Sequence, residues 1–287
     1  MQFRGTLMLL GASFFWGTTF VAQSTGMENL GPFSYAAARY LIGFLSVAAV
    51  LIFTKKNRSK ERKAGKYTRG FGAGLLIGFI LFAATSLQQI AIQYTTAGKA
   101  AFITCLYIIF VPLTSIFLGK KIRTENFIGA GLAIFGLYLL AVNEDFSVQS
   151  GDIILFVSAF FWTAHILAVD KFASRVDVTE LSAAQLFTTM ILSFATMLIF
   201  ENPAPVDFEN AAFSILYAGI ASSGIAFTLQ IVGQKYADPS TAAILMSFEA
   251  IFGALSGCIV LGEVMSGREI FGCFLMLAGM ITAQVRR

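Results

Sequence analysis

The chain has 287 residues, 57% hydrophobic and only 13% charged, with a mean hydropathy of +0.76. A soluble domain of this size carries about a quarter charged residues, so the composition excludes a water-soluble globule and calls for lipid as solvent. The net charge of +4 does not point to nucleic acid, because most basic residues sit in short segments between apolar runs, where they orient a membrane protein.

A helix needs about 20 apolar residues to span the hydrocarbon core. Such runs occur at 6–23, 33–53, 70–92, 98–118, 126–142, 151–169, 180–200, 211–233, 239–261 and 267–284. They are apolar on every face, as spanning helices are, and too long and too uniform for the strands of a β-barrel. The first run has no small-residue cleavage site and its sequence recurs later, so it is read as a span rather than a signal peptide. The expected fold is an all-α integral membrane protein of ten transmembrane helices. Cys105, Cys258 and Cys273 all lie inside apolar runs, without CxxC spacing. They are read as packing residues, with no disulfide framework and no metal site.

With the N-terminus placed in the cytoplasm, all but Arg39, Lys99 and Arg268 of the 20 Lys and Arg fall on the inner side. They include the stretch KKNRSKERKAGKYTR at 55–69, GKKIR at 119–123, Arg286 and Arg287. The opposite loops are acidic, with Asn-Glu-Asp at 143–145, Glu201, Asp207 and Glu209. The positive-inside rule therefore puts both termini inside. The 55–69 segment anchors that topology and can touch anionic lipid.

The two halves repeat each other. SFFW at 13–16 matches AFFW at 159–162, AAR at 37–39 matches AAQ at 183–185, and QIAIQY at 89–94 matches QIVGQKY at 230–236. LGKKIRTENFIG at 118–129 matches LGEVMSGREIFG at 261–272. Five spans per half is an odd number, so residues 146–287 must run opposite to residues 1–145. An inverted repeat of this kind is a common architecture of secondary transporters.

Inside the spans, the polar residues are the candidate site. Glu249 lies near mid-depth in the ninth run, where a charge costs about 3 kcal/mol. Three roles are open to it: binding a substrate amine, carrying a coupling proton, or bonding between helices as a structural group. The third is favoured by the GxxxG spacing of Gly253 and Gly257, which lets helices approach closely. Gln89 and Gln93, and again Gln230 and Gln234, share a helix face at i, i+4. Gln89 and Gln230 are deep enough for a cavity, Gln93 and Gln234 are nearer the helix ends, and Gln88 points elsewhere. Trp16 and Trp162 lie deeper than an interfacial belt and can form opposed walls against an aromatic or cationic solute. Tyr107 falls within a residue of the position matching Glu249 in the other half. His165, the lone histidine, is either a packing group or a proton relay to Glu249. Arg39, near a helix end, could pair with a substrate carboxylate, but it is read as snorkelling or internally paired. No P-loop, nucleophile elbow or carboxylate pair is present, so neither an enzyme nor a cofactor is expected.

The segments WGTTFVAQ at 16–23, QYTTAGKAAFITCLYIIFVPLTSIFLGKK at 93–121 and MSFEAIFGALSGCIVLGE at 246–263 resemble the EamA-type permeases of the drug/metabolite transporter superfamily. The resemblance covers nearly the whole chain. It implies a 5+5 inverted repeat around a central cavity lined by helices 1, 3, 4, 6, 8 and 9, with 2, 5, 7 and 10 peripheral. It also implies transport, often export, of amino acids or other small metabolites. The chain departs from the family's frequent Glu-Pro at Glu249-Ala250, which puts a proline kink there in doubt. The expected function is alternating-access transport in the inner membrane, with a small amphipathic solute, protons and the lipid bilayer as partners and no nucleic acid. The alternatives are a membrane-embedded binding or regulatory subunit and, third, an enzyme acting on lipid.

Overall fold

The computed structural model describes residues 2–63, 68–94, 97–142, 149–262 and 264–284. The acidic triplet at 143–145, part of the basic stretch at 55–69, and Arg286 and Arg287 lie outside the described residues, as does the side chain of Lys99. Three runs form continuous helices at the start of the chain: α1 (Gln2–Met27), α2 (Pro32–Lys63) and α3 (Phe71–Ile92). The fourth run is divided into α4 (Ala97–Thr104) and α5 (Tyr107–Phe117). Then follow α6 (Thr124–Ala141), α7 (Ser150–Ala173), α8 (Val178–Phe200) and the short α9 (Pro205–Asn210). The eighth run is α10 (Ala212–Tyr217), a π-helical stretch (Ala218–Ala226) and α11 (Phe227–Gln234). The ninth is α12 (Pro239–Met246), α13 (Glu249–Ser256) and a π-helical turn (Gly257–Leu261), and the tenth is α14 (Gly267–Gln284). Among the described residues the one departure from helix and loop is an isolated bridge between Thr68 and Val176.

Local chemistry fixes the helix ends. Asp177 caps α8 by accepting from the amides of Thr179 and Glu180 at 3.0 and 3.1 Å. Asp238 accepts from the Thr241 amide at 2.9 Å, with Pro239 at the first helical position of α12. Both satisfy amide groups that a helix start leaves open. Gly119 and Gly262, matching positions in the two halves, follow α5 and the π turn with φ of +76° and +69°. Only glycine takes that left-handed conformation without penalty.

Among the described residues, eight helical segments, against the ten runs expected, are long and apolar enough to cross a membrane, counting α4–α5, α10–α11 and α12–α13 as single spans. α1 and α14 are not among the eight; α14 opens with Arg268 and Glu269 in its first turn. Polarity is arranged as lipid requires. Phe53, Phe117, Phe213 and Ile259 are largely exposed, while Ser13, Ser158, Gln185 and Thr189 are buried.

The bundle is held by close helix contacts that come in matched pairs. A Cβ on Gly78 of α3 would sit 2.5 Å from the Gln185 carbonyl and 2.6 Å from Thr188 Cβ on α8. A Cβ on Gly219 would sit 2.9 Å from the Arg39 carbonyl and 2.6 Å from Ile42 Cβ on α2. The alignment that pairs AAR with AAQ makes Arg39 the counterpart of Gln185, so one contact is the other with the halves exchanged. Likewise α6 crosses α14 through Gly129 against Gly279 and Gly136 against Gly272. Rising numbers on one helix meet falling numbers on the other, so the two run antiparallel. Small residues at these crossings let backbones approach and gain dispersion where lipid supplies no hydrophobic drive.

Candidate functional site

The fourth and ninth spans are interrupted at matching places. α4 ends at Thr104 and α5 begins at Tyr107; α12 ends at Met246 and α13 begins at Glu249. At each interruption the hydrogen bonds tighten from i−4 to i−3. The Leu106 amide donates to Ile103 O and the Phe248 amide to Leu245 O. The ninth run therefore breaks without a proline after Glu249, where Ala250 stands. Ser247 helps by donating its hydroxyl to Ile244 O at 2.8 Å. Each break turns residues out of register at mid-span, and there Glu249 Oε1 meets Tyr107 Oη at 3.5 Å and Cys105 Sγ at 3.7 Å. α1 lies against this point through Gly17, where a Cβ would come within 2.6 Å of the Glu249 carbonyl and 2.7 Å of the Gly253 amide nitrogen.

A cavity opens beside this junction, with Trp16, Tyr107, Trp162, Gln89, Gln230 and Glu249 all in its wall. Its free volume is about 60 Å³, room for several waters at the roughly 10–15 Å³ that each requires. The two indoles are fixed by their N–H groups. Trp16 Nε1 donates to Ser222 O at 3.3 Å, a carbonyl in the π-helical stretch. π geometry often marks functional sites. Trp162 Nε1 donates to Gln88 Oε1 at 3.0 Å. Gln89 is buried and its amide points at Met27 Sδ, 3.1 Å away. Gln230 is buried, and its Oε1 has no protein partner among the described residues.

Several sequence expectations change. Gln88 does not point elsewhere: it lines the cavity and orients Trp162. Gln234 is not interfacial but buried, donating to Ile166 O of α7 at 2.9 Å, whereas Gln93 is exposed at the end of α3. His165 stands outside the cavity wall. It is fully buried, 3.2 Å from Gln185 Oε1, and edge-on to both Trp162 and Phe227. Glu249 is not among these neighbours. The lining comes from runs 1, 3, 4, 6, 8 and 9, with one addition: Arg39 of the second run is part of the wall. Arg39 is 5% exposed, donating to Gln23 Oε1 at 2.8 Å and to Tyr40 Oη at 2.9 Å. Sequence reading ranked a cavity role for it below snorkelling or an internal ion pair, because it lies near a helix end. Its offset from Gln23 becomes visible only when α1 and α2 are packed together.

An apolar-surfaced helical bundle with a polar cavity among its broken spans defines a multi-pass membrane transporter. More specifically, the chain belongs to the EamA-like transporter family, which it matches over residues 3–142 and again over 149–283. It is 28% identical to an "Uncharacterized transporter" of Archaeoglobus fulgidus, covering 94% of this chain and 82% of that protein. It is 22% identical to the "Uncharacterized transporter YoaV" of Bacillus subtilis, over 96% of this chain and 94% of that one. The "Uncharacterized inner membrane transporter YedA" of Escherichia coli K12 is 21% identical over 94% and 88% of the two chains. A solved crystal structure shares the fold with a TM-score of 0.81 at 22% identity, covering 98% of this chain and 96% of that one.

Proposed function

We propose that this chain is a secondary transporter of small amphipathic metabolites, amino acids foremost, working by alternating access and chiefly as an exporter. Its ten spans form two inverted five-span halves, 1–145 and 146–287, with both termini in the cytoplasm. The observation that carries the reading is the cavity at the paired breaks, where Glu249 of one half faces Tyr107 of the other. The matched glycine contacts support two equivalent halves, since exchanging them reproduces the same crossings. Such a frame has two mirror-related packings of nearly equal energy, the requirement for opening to either side. The loop charges support the orientation, and the relative named as an inner membrane transporter supports the location.

In this reading Glu249 either takes the solute's amine or carries an exchanged proton. The wall of indoles, amides and one carboxylate suits a solute with an apolar body and a polar head. The test is efflux of radiolabelled amino acids from proteoliposomes, with and without an imposed pH gradient. Saturable efflux of at least one amino acid is the expected result, and acceleration by the gradient identifies proton exchange. Absence of saturable flux for the whole panel rejects the substrate class.

A further inference from the structure

The proposed transport site contains a charge that fold and packing do not explain. Among the described residues, Arg39 and Glu249 are the only cation and the only carboxylate in the cavity wall. They are not an ion pair: among the described residues no carboxylate lies within ion-pair distance of Arg39. Its partners are all neutral, namely the Gln23 amide oxygen, the Tyr40 hydroxyl and the Tyr40 ring at 4.7 Å. Its Nε has no protein partner among the described residues, although the residue is nine-tenths buried. A buried guanidinium has five N–H donors and pays a large desolvation cost unless an anion compensates it.

The other half shows that the frame does not need this charge. The counterpart of Arg39 is Gln185, a neutral amide that occupies the same crossing and meets His165. The counterpart of Glu249, by the starts of α5 and α13, is neutral Tyr107. A pseudo-symmetric cavity has thus been made electrically asymmetric, with one positive wall on α2 and one acidic wall on α13.

We infer that Arg39, aimed by Gln23, is the carboxylate-binding subsite of the cavity, so that the transported solute is held by its carboxylate at α2 and extends toward Glu249. This rests on the amino-acid reading above and deepens it: the preferred solutes are zwitterions with a free α-carboxylate, not amines or amides of the same shape. Guanidinium and carboxylate pair through two parallel N–H···O bonds, and such a pair rejects a neutral carboxamide because one of its bonds would become N–H facing N–H. Gln23 is a positioning residue, since it touches Arg39 rather than the solute.

The experiment uses the full-length protein in proteoliposomes. The best-carried of the twenty common L-amino acids is compared with its own α-carboxamide, which keeps the amine and side chain. The parental protein is expected to carry the acid about tenfold faster or more, the loss expected for one charged hydrogen bond. Arg39→Gln is expected to remove that preference by slowing the acid while leaving the amide within about twofold, and Arg39→Lys to restore part of it. Should Arg39→Gln not fold, Gln23→Leu serves, with a partial loss of the same acid preference expected. Equal flux of acid and amide through the parental protein overturns the subsite, as does an acid preference that survives Arg39→Gln or, in its place, Gln23→Leu; the amino-acid reading stands in these cases. If none of the twenty is carried, the amino-acid reading falls and the subsite with it.

Discussion

Glu249 shows what a single side chain can decide. It is half-buried rather than sealed, because the cavity reaches it, and its two protein contacts, Tyr107 and Cys105, are long and weak. A structural carboxyl bonding helices together would hold shorter and more numerous partners. Glu249→Gln is therefore expected to leave the melting temperature in detergent near the parental value while abolishing solute flux. A large drop in melting temperature with flux retained would assign it to structure instead. Trp162 tests the neighbouring wall. Trp162→Phe keeps an aromatic body but leaves Gln88 Oε1 without its donor, at a cost of about 1 kcal/mol. Thermal melts should show that modest loss, and transport should show a raised KM, since the indole no longer has a fixed orientation. A visible carboxylate in an apolar run was readable from sequence alone. The partner of Gln88 was not, because Trp162 lies on a different helix far along the chain, and the bond from Arg39 to Gln23 depends on how α1 packs on α2.

At the scale of elements, the matched crossings make a quantitative expectation. Gly78→Val and Gly219→Val both force a side chain against a neighbouring backbone carbonyl and a Cβ. Each should destabilise by about 1–3 kcal/mol, the usual range for overpacking, and by similar amounts because the contacts are counterparts. Gly131 is the control: nothing lies within 4 Å of a Cβ added there, so Gly131→Val should change stability little. Denaturation in mild detergent, followed by helix content, measures all three. The broken spans were only half legible. Apolarity located the fourth and ninth runs, but nothing in their hydropathy reveals a turn at 105–106 or 247–248. At both turns i−3 bonds stand in for the lost helical ones, and at 247–248 the Ser247 hydroxyl donates to Ile244 O while α1 packs closely at Gly17. Similarly, the π-helical stretch Ala218–Ala226 is written as an ordinary apolar segment, and its wider turn is set by fitting Gly219 and Gly224 against α2.

For the molecule as a whole, the proposed inverted arrangement would place Gln149 and Phe3 on opposite sides of the membrane. In a background with Cys105, Cys258 and Cys273 replaced, Gln149→Cys should react with a membrane-impermeant maleimide added to intact cells. Phe3→Cys should react only after the membrane is opened. Both positions are exposed, so accessibility in the protein is not limiting. Labelling of both from outside, or of neither, would rule out five spans between them.

The sequence by itself determined the solvent, the apolar helical runs and the doubling of the chain, since each follows from local composition, run length or direct comparison of one half with the other. It also placed Glu249 and the two indoles well inside apolar runs. Only the tertiary structure decided which polar groups share one space. It drew Gln88 and Arg39 into the cavity and left His165 behind it, because helix rotation is set by glycine crossings between distant segments. Electrical asymmetry between two similar halves likewise becomes visible only when Arg39 and Gln185 are seen in equivalent places, one facing the cavity and the other bonded away from it.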